Sequence, residues 1–524
     1  MALLLALLPL ASQAHAALYS TVIETPYGGV QGYPAFTSEP SGNLTHWQDI
    51  AVWKGIPYGA TTAGEHRFKP PRPAQPWTGT VLDAADWGNV CPSAVSTNPN
   101  NYTIAEDCLN LNIWSAANST DAKLPVVMWS YPAQSTAADA LFDGGGMADK
   151  GVVFVSYNYR TGSFGWLAHP ELRADYPDGK NASGNWAMFD QFAALRWIHE
   201  NIAAFGGDPD RITVMGQSMG SAASQHILNS PLTRGLIVGA IIESGVRDVQ
   251  DPICDEVAEA YLTLADAEAQ GERYMEYLNV SSVAELRALP MDDLITVSAG
   301  LTATAEWQFT ATLDYYAMPA TYYDTLRDGL AADVPVLTGN TKDENGAVFG
   351  LNITAAEYLA DMNATFSGSW LDRFLDYYPV SRYEADTRAS FNAQWTDRSI
   401  VGTWLWAQLW ATARSSPVYT YFWDHAPPGQ DQGAYHESEI NYVMNNLYDT
   451  DLPWTHADYA IAAQMNAYWV NFIKTGDPNG DGLVEWAATN ASETVQQVGN
   501  GWGGIPLPSS LDLFTAWFSG LPYF

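Results

Sequence analysis

The chain has 524 residues, and its 23 Lys and Arg against 58 Asp and Glu give a formal net charge of −35. This charge excludes a protein that binds nucleic acid by neutralising phosphates, because such binding requires a basic surface. Only 15% of the residues are charged and 13% are aromatic, so the chain carries far more apolar side chains than an intrinsically disordered protein. We therefore expect a folded protein organised by one large sheet.

The first sixteen residues resemble a secretory signal peptide. Residues 1–10 form an apolar run, and Ala14-His15-Ala16 supplies a small-x-small cleavage site, although no basic residue precedes the run. The alternative is a buried N-terminal strand. No other stretch approaches the ~20 apolar residues of a membrane-spanning helix, so no membrane span is expected. We predict a secreted, extracellular protein whose mature chain, residues 17–524, is a single domain.

Sequons and cysteines agree with export. Eight Asn-x-Ser/Thr sequons are candidates for N-glycosylation, at Asn43, Asn101, Asn118, Asn181, Asn279, Asn352, Asn363 and Asn490. In an oxidising compartment the nearby pair Cys91 and Cys108 is predicted to close a loop. Cys254 has no obvious partner and is predicted to be a buried thiol that behaves as a small hydrophobe.

Short apolar runs alternate with helical patterns along the rest of the chain. Six runs have the length and the β-branched or aromatic content of buried strands: 124–129, 152–156, 212–215, 238–242, 334–337 and 418–422. Apolar spacing predicts a helix over 186–205, which Gly206 and Gly207 end. This alternation predicts an α/β fold, a large and mostly parallel central sheet with helices on both faces. Residues 255–410 are predicted to be a helical insertion packed on the sheet.

A tight strand-to-helix turn is predicted at Gly216-Gln217-Ser218-Met219-Gly220. A serine on such a turn needs glycines on both sides, because any side chain there would collide with the strained backbone. The turn also places the serine hydroxyl at a helix N-terminus, which favours developing negative charge. Ser218 is therefore predicted to be a nucleophile. The alternative is an ordinary glycine-rich turn.

A nucleophilic serine needs a base, and the base needs an acid that orients it. In this type of fold the order along the chain is Ser, then Asp or Glu, then His. His436 follows the predicted strand 418–422, and both Asp343 and Glu344 follow the predicted strand 334–337. Since the carboxyl ends of parallel strands meet at one edge of a sheet, these loops are expected to converge on Ser218.

The sequence resembles the type-B carboxylesterases and lipases, the cholinesterase-like branch of the α/β-hydrolases. The resemblance spans nearly the whole mature chain and rests on WKGIPYG at 53–59, RFKPP at 67–71, EDCLNLN at 106–112, NYRTGSFG at 158–165, FGGDP at 205–209 and TGDPN at 475–479. It implies an α/β-hydrolase fold and esterase activity, with Ser218 as nucleophile, His436 as base and Glu344, rather than Asp343, as acid. It also supports a bridge between Cys91 and Cys108.

One departure from the family concerns the oxyanion hole. After the strand 124–129 the family usually carries His or Tyr and three glycines, whose amides bind the oxyanion, whereas this chain has Tyr131-Pro132-Ala133-Gln134-Ser135. Matching by position makes the amides of Ala133 and Gln134 donors, with the amide of Met219 as the third. Losing a single donor costs about 10²–10³ in rate. The triplet at 144–146 is predicted to be a surface turn rather than a substitute.

A second departure is Gln217, where the family commonly has Glu. Two interpretations stay open. A neutral amide would stabilise a protonated His436 less than a carboxylate, or the side chain would merely hydrogen-bond neighbouring loops. Glu439, three residues after His436, is predicted to brace its loop.

The substrate is predicted only by class. The loop from Cys91 to Cys108 has Tyr102 as its one aromatic residue, which argues against choline esters, since a quaternary ammonium needs an aromatic face and cholinesterases carry an important Trp in this loop. The stretch 477–482 imitates half of a calcium loop, but Ala488 stands where the bidentate Glu belongs, so a plain turn is predicted. No metal and no cofactor are expected.

The sequence thus predicts a secreted serine hydrolase that cleaves small, neutral carboxylic esters through an acyl-enzyme. One alternative uses the same triad for acyl transfer, or for a cyclisation or elimination in small-molecule biosynthesis. Another is a non-catalytic, cholinesterase-like binding scaffold. The oligomeric state is left open.

Overall fold

The computed structural model describes residues 17–42, 44–93, 102–253, 260–298, 307–344, 353–489 and 492–523. The predicted signal peptide at 1–16 and Cys254 lie outside these ranges, as do four of the sequon asparagines, Asn43, Asn101, Asn352 and Asn490.

The described residues form one large sheet and two small ones. Their strands are β1 (Val22–Thr25), β2 (Gly28–Gln31), β3 (Tyr33–Pro34), β4 (Ala51–Pro57), β5 (Val81–Asp83), β6 (Asn110–Ser115), β7 (Leu124–Ser130), β8 (Val153–Tyr157), β9 (Gly207–Gln217), β10 (Gly239–Glu243), β11 (Tyr261–Thr263), β12 (Ala311–Leu313), β13 (Val336–Thr341), β14 (Val418–Trp423), β15 (Thr494–Val498) and β16 (Gly503–Pro506). Within the described ranges the large sheet has eleven strands in the order β16-β15-β14-β13-β10-β9-β7-β8-β6-β4-β3. From β15 to β8 the strands run parallel, whereas β16 at one edge and β6, β4 and β3 at the other pair antiparallel. The predicted α/β fold with a large, mostly parallel sheet is confirmed.

Helices connect these strands. They are α1 (Gly145–Asp149), α2 (Gly162–Trp166), α3 (Trp186–Asn201), α4 (Met219–Asn229), α5 (Leu264–Tyr277), α6 (Val283–Ala288), α7 (Met291–Ser298), α8 (Tyr322–Arg327), α9 (Ala355–Thr365), α10 (Ser369–Tyr377), α11 (Glu384–Ala413), α12 (Ile440–Met444), α13 (His456–Thr475) and α14 (Leu511–Phe518). The helices α3, α4, α11 and α13 pack against the central sheet. None of the helices in the described ranges combines the length and apolarity needed to cross a bilayer.

The elements predicted from the sequence correspond closely to observed ones. The six predicted strands are β7, β8, β9, β10, β13 and β14, of which β9 begins five residues earlier than expected. The predicted helix 186–205 is α3 followed by a short 3-10 helix at Ile202–Phe205, and Gly206 ends it with a left-handed φ of 82°. The predicted helical insertion is interrupted by β13, which belongs to the central sheet.

Residues of the motifs quoted above make buried contacts. Arg160 forms an ion pair with Asp190, with 2.7 Å between Nε and Oδ2, and both side chains are almost fully buried. Arg67 pairs with Glu106 in the same way. Cys91 and Cys108 are joined by a disulfide with 5.0 Å between their Cα atoms. The two ion pairs and the disulfide hold in place the loops that contain these residues.

The glycine triplet at 144–146 is not the surface turn that the sequence predicted. Gly145 and Gly146 are buried and begin α1, with Gly144 as its N-cap. A Cβ on Gly146 would lie 2.2 Å from the carbonyl oxygen of Met444, so the glycine permits close packing of α1 against α12. The sequence pattern did not reveal this contact because it joins segments far apart in the chain.

Candidate active site

The predicted site residues lie on loops that leave the carboxyl ends of neighbouring parallel strands. Ser218 comes directly after β9, Glu344 follows β13 by three residues, and His436 lies in the loop after β14. The loop at 131–135 leaves β7. Because β14, β13, β10, β9 and β7 are consecutive in the sheet, the four loops meet at one edge, where ligands of open α/β sheets bind.

Ser218 sits on a strained turn between β9 and α4. Its backbone has φ 55° and ψ −122°, a conformation that residues other than glycine seldom adopt. A Cβ on Gly216 would lie 2.1 Å from the carbonyl oxygen of Gly220, and a Cβ on Gly220 would lie 1.9 Å from that of Ser130. The two glycines are therefore required by the turn, and Ser218 is placed at the N-terminus of α4.

Glu344, and not Asp343, faces the imidazole of His436. The distance from Glu344 Oε2 to His436 Nδ1 is 2.5 Å, and the Glu344 side chain is only 3% exposed. The carboxylate of Asp343 instead accepts a hydrogen bond from the amide of Ala434 at 2.7 Å, and the Asp343 amide donates to the Ala434 carbonyl at 2.9 Å. Asp343 thus holds the loop that carries the histidine.

The contact between His436 and Glu344 shifts the pKa of both groups. Partial burial of the His436 ring lowers its pKa, but the facing Glu344 carboxylate outweighs burial, and the pKa is raised from 6.5 to about 9. Burial likewise raises the pKa of Glu344, but His436 and, at longer range, Arg247 outweigh it, so that the net shift is downward. At neutral pH the two side chains form an imidazolium–carboxylate pair.

The ring of His436 contacts Gln217 rather than Ser218. Gln217 Nε2 lies 3.2 Å from His436 Nε2 and 3.4 Å from Nδ1, whereas the hydroxyl of Ser218 makes no hydrogen bond within the described part of the chain. Because the amide nitrogen is almost equally far from both ring nitrogens, the Gln217 side chain lies over the face of the imidazole. Among the described residues, the amide oxygen of Gln217 has no hydrogen-bond partner. Gln217 therefore contacts the ring of His436 directly.

The loop with the predicted oxyanion donors is anchored by a pair of tyrosines. The rings of Tyr131 and Tyr159 stack with 4.6 Å between centroids, and each hydroxyl donates to the other residue's carbonyl. Beyond this anchor, Ala133 and Gln134 are exposed, and Gln134 has a φ of 63°. Among the described residues, the amides of Ala133, Gln134 and Met219 have no hydrogen-bond acceptor. All three residues border one cavity.

This cavity has a volume of about 260 Å³. Its described lining residues are Pro92, Ser93, Tyr131, Pro132, Ala133, Gln134, Ser135, Tyr159, Thr161, Gly162, Trp166, Gln191, Met219, His226 and Phe309. A larger depression of about 620 Å³ lies beside Leu124, the first residue of β7, and thus at the amino ends of the strands. The smaller cavity is the candidate substrate pocket, because it adjoins the serine turn.

Two buried carboxyl groups lie near the site, Glu439, which the sequence analysis named, and Glu243, which it missed. Glu243 ends β10 and is paired in register with Gln217, and Trp469 Nε1 donates to its Oε1 at 2.7 Å. Burial raises the pKa of Glu243 to about 8. Burial, together with the nearby Glu243, raises the pKa of Glu439 well above its usual range. Burial therefore disfavours the charged form of both carboxyl groups.

The side chain of Glu439 lies beside the buried hydroxyl of Tyr421, whose pKa is raised well above its usual range by burial and by nearby carboxylates that include Glu439. The backbone carbonyl of Glu439 accepts from the amides of Tyr442 and Val443, both at 2.9 Å, at the start of α12. The one local sequence signal for the buried pair Glu243 and Glu439 is the glutamate that ends the buried strand Gly239–Glu243.

The predicted turn at 477–482, just after α13, is stabilised by hydrogen bonds between its own residues. Asp477 Oδ1 accepts from the amide of Asn479 at 2.9 Å and from its side chain at 2.8 Å. The part of the chain that the structure describes contains no group of three or more His, Cys, Asp or Glu residues that could hold a metal ion.

Comparison with known proteins gives one consistent group of relatives. Residues 19–500 match the carboxylesterase family. The chain is 30% identical over 484 residues to fumonisin B1 esterase of Sphingopyxis macrogoltabida, which covers 87% of this chain and 85% of that protein. It is 29% identical over 492 residues to para-nitrobenzyl esterase of Bacillus subtilis, covering 89% and 92%. The crystal structure of the Geobacillus stearothermophilus carboxylesterase EST55 superposes with a TM-score of 0.76 at 29% identity, covering 95% of this chain and all of that one (100%).

Proposed function

This chain belongs to the carboxylesterase family and is a carboxylic ester hydrolase, and we propose that it cleaves neutral esters with Ser218, His436 and Glu344 as its catalytic triad. The observation that carries the proposal is the 2.5 Å contact of Glu344 with His436 Nδ1 at the sheet edge where Ser218 occupies its strained turn. Since Nδ1 is held by the carboxylate, only Nε2 is left to exchange a proton with the serine.

Each residue has a distinct task in the proposed reaction. His436 Nε2 takes the proton of Ser218 as Oγ attacks the ester carbonyl carbon, and Glu344 stabilises the imidazolium that forms. The amides of Ala133, Gln134 and Met219 donate to the developing oxyanion. The imidazolium then protonates the leaving alcohol, and a water molecule hydrolyses the acyl-enzyme by the same steps in reverse roles.

Ser218 makes no hydrogen bond to His436 in the structure. Hydrogen bonds between nucleophile and base are often long or misaligned without substrate and tighten in the complex, so the observed geometry is compatible with the proposed proton transfer. The Gln217 amide lies almost equally far from the two ring nitrogens, and so it does not occupy the position in the ring plane at Nε2 that the serine needs.

Neutral substrates are favoured by charge. The net charge of −35 repels anions at long range, and none of the described residues lining the 260 Å³ cavity is charged. The names of the relatives, a fumonisin B1 esterase and a para-nitrobenzyl esterase, refer to different esters, so family membership alone does not identify the alcohol.

The triad is tested by covalent labelling and turnover. A fluorophosphonate probe should label the protein, and Ser218→Ala should remove the label while leaving thermal unfolding unchanged. With p-nitrophenyl acetate we expect a burst followed by steady turnover. Acylation without turnover would indicate acyl transfer instead, and a folded protein that is never labelled would indicate a binding scaffold.

Secretion is proposed from the sequence and is supported by exposure of its modification sites. The sequon asparagines within the described ranges, Asn118, Asn181, Asn279 and Asn363, are all exposed, as glycosylation requires. The disulfide between Cys91 and Cys108 suits an oxidising compartment. After expression in a secreting eukaryotic host, the exported chain should begin at Ala17 and lose mass on treatment with an N-glycosidase. Retention of residues 1–16, or an unchanged mass, would contradict the proposal.

A further inference from the structure

A second histidine lies in the candidate substrate pocket, on the helix that begins at the nucleophile. His226 is on α4, seven residues after Met219, and both residues line the 260 Å³ cavity. Seven residues are nearly two helical turns, so the two side chains share one face of α4 and lie about 10 Å apart along its axis. The cavity therefore extends from the proposed oxyanion site along α4 to His226.

The polar atoms at this end of the cavity have no partners. His226 is only 9% exposed, and within the described ranges neither of its ring nitrogens makes a hydrogen bond. Gln191, on α3, is 1% exposed, and its Oε1 is likewise buried without a partner. Buried polar groups are nearly always hydrogen-bonded, so these atoms need a partner that a ligand group or a water molecule could supply.

We propose that His226 and Gln191 recognise an uncharged hydrogen-bonding group of the substrate, a hydroxyl or an amide, several bonds away from the ester carbonyl. The inference deepens the proposed esterase function and rests on it. It assigns to the apolar pocket a polar end that selects among neutral esters.

The chemistry of the two groups defines the class of ligand. Burial lowers the pKa of His226 to about 4, so its ring is neutral and offers one N–H donor and one acceptor nitrogen. The amide of Gln191 adds an acceptor oxygen. A hydroxyl or an amide is both donor and acceptor and matches this set. A carboxylate does not match, because none of the described lining residues carries a positive charge.

The walls between the two ends suit an apolar linker. Trp166, which meets the His226 ring edge to face with 5.6 Å between centroids, and Phe309 both border the cavity. Tyr131 and Pro132 also line the cavity. A second cavity of about 10 Å³ also borders His226, which is room for one water molecule at most. A water held there is the competing partner for the imidazole.

The test compares matched esters that differ only in a terminal hydroxyl. For the acyl side these are the p-nitrophenyl esters of hexanoate and 6-hydroxyhexanoate, and for the alcohol side hexyl acetate and 6-hydroxyhexyl acetate. In one of the two pairs we expect the wild type to favour the hydroxylated ester in kcat/KM by about tenfold or more, because a polar site left unpaired rejects the alkyl analogue.

Variants then locate the preference. His226→Leu should bring the ratio to about one or below, by raising kcat/KM for the alkyl ester and lowering it for the hydroxylated one. His226→Gln should retain part of the preference. The matched control is Ser224→Ala, which removes a buried hydroxyl without a partner from the same helix but outside the cavity, and it should leave the ratio unchanged. Because each ratio is internal to one variant, it does not depend on the folded fraction.

Several outcomes would overturn the inference. Equal rates within both pairs in the wild type would show that a water satisfies His226. A ratio that survives in His226→Leu would place recognition elsewhere, and a preference for the p-nitrophenyl monoester of adipate would show that the recognised group is anionic.

The esterase function is tested separately, with p-nitrophenyl acetate, which is too short to reach His226. If acetate is hydrolysed but no preference exists, only the recognition site is wrong. If acetate is not hydrolysed, the esterase proposal fails, and titration calorimetry with 6-hydroxyhexanamide against hexanamide still tests the pocket. Tighter binding of the hydroxylated amide, lost in His226→Leu, would support the site, and equal binding would refute it.

Discussion

A histidine lies on each side of Ser218, and the two rings have opposite surroundings. His436 faces the carboxylate of Glu344, and its pKa is raised to about 9 in spite of partial burial. His226 lies among uncharged side chains, and burial lowers its pKa to about 4. Both rings lose hydration, so the presence of a carboxylate decides which one is charged. His436 therefore forms an ion pair with Glu344 at neutral pH, whereas His226 in the pocket forms none.

Removing the Glu344 carboxylate should have the largest effect on activity, because it leaves His436, like His226, without a facing carboxylate. Glu344→Gln removes the largest charge that favours the protonated ring of His436, so the pKa of His436 should fall, and kcat/KM for p-nitrophenyl acetate should drop by about 10³–10⁴. Asp343→Asn is the matched control, since Asp343 binds the Ala434 amide and not the imidazole. A loss larger in Asp343→Asn than in Glu344→Gln would assign the acid to Asp343.

The pH profile should report the same ion pair in the wild type. A histidine whose pKa is raised to about 9 keeps its proton until the pH approaches that value, and the protonated ring cannot act as a base. We expect kcat/KM for a neutral ester to rise about tenfold per pH unit from pH 6 and to reach half its maximum near pH 9. A midpoint near 6.5 would contradict a stable pair.

Adding a carboxylate next to His436 should enlarge the difference between the pKa of His436 and that of His226. Gln217→Glu places a negative charge against the His436 ring, where the amide now lies 3.2 Å from Nε2. The midpoint of the pH profile should move up by about one unit, because a nearby opposite charge favours the protonated ring. Gln217→Leu, which adds no charge, is the control and should not move it upward. Equal midpoints in the two variants would refute a direct action on the ring.

The smallest effect is expected from Glu439→Gln. Burial raises the pKa of Glu439 well above its usual range, which disfavours its charged form, and glutamine is an uncharged group of the same shape. We expect kcat/KM at pH 7 to stay within about threefold of the wild type, as for other neutral exchanges of similar shape. A midpoint lowered by a full pH unit would instead show that Glu439 is ionised.

The sequence predicted those parts of the site that depend on local geometry or on chain order. Gly216 and Gly220 indicate the turn at Ser218, because the absence of their side chains leaves room for the backbone. The order of strands brings Glu344 and His436 to the same edge. The family resemblance, and not the spacing, separated Glu344 from Asp343.

What the sequence did not predict depends on contacts between distant segments. Glu243 on β10 and Glu439 after β14 become a buried pair only when the sheet and α13 close around them, and no local pattern encodes that burial. The contact of Gln217 with the His436 ring has the same origin. For His226 a signal did exist, because helical spacing places it on the same face of α4 as Met219.

The fit of α4 against β7 also limits how this enzyme can be re-engineered. A Cβ on Gly220 would lie 1.9 Å from the Ser130 carbonyl oxygen, so the start of the helix lies directly against β7. Since α4 begins at Ser218 and carries His226 two turns further on, a displacement of the helix that reshapes the pocket also misplaces the nucleophile. New selectivity is therefore better introduced at a lining residue outside both α4 and the 131–135 loop, such as Phe309.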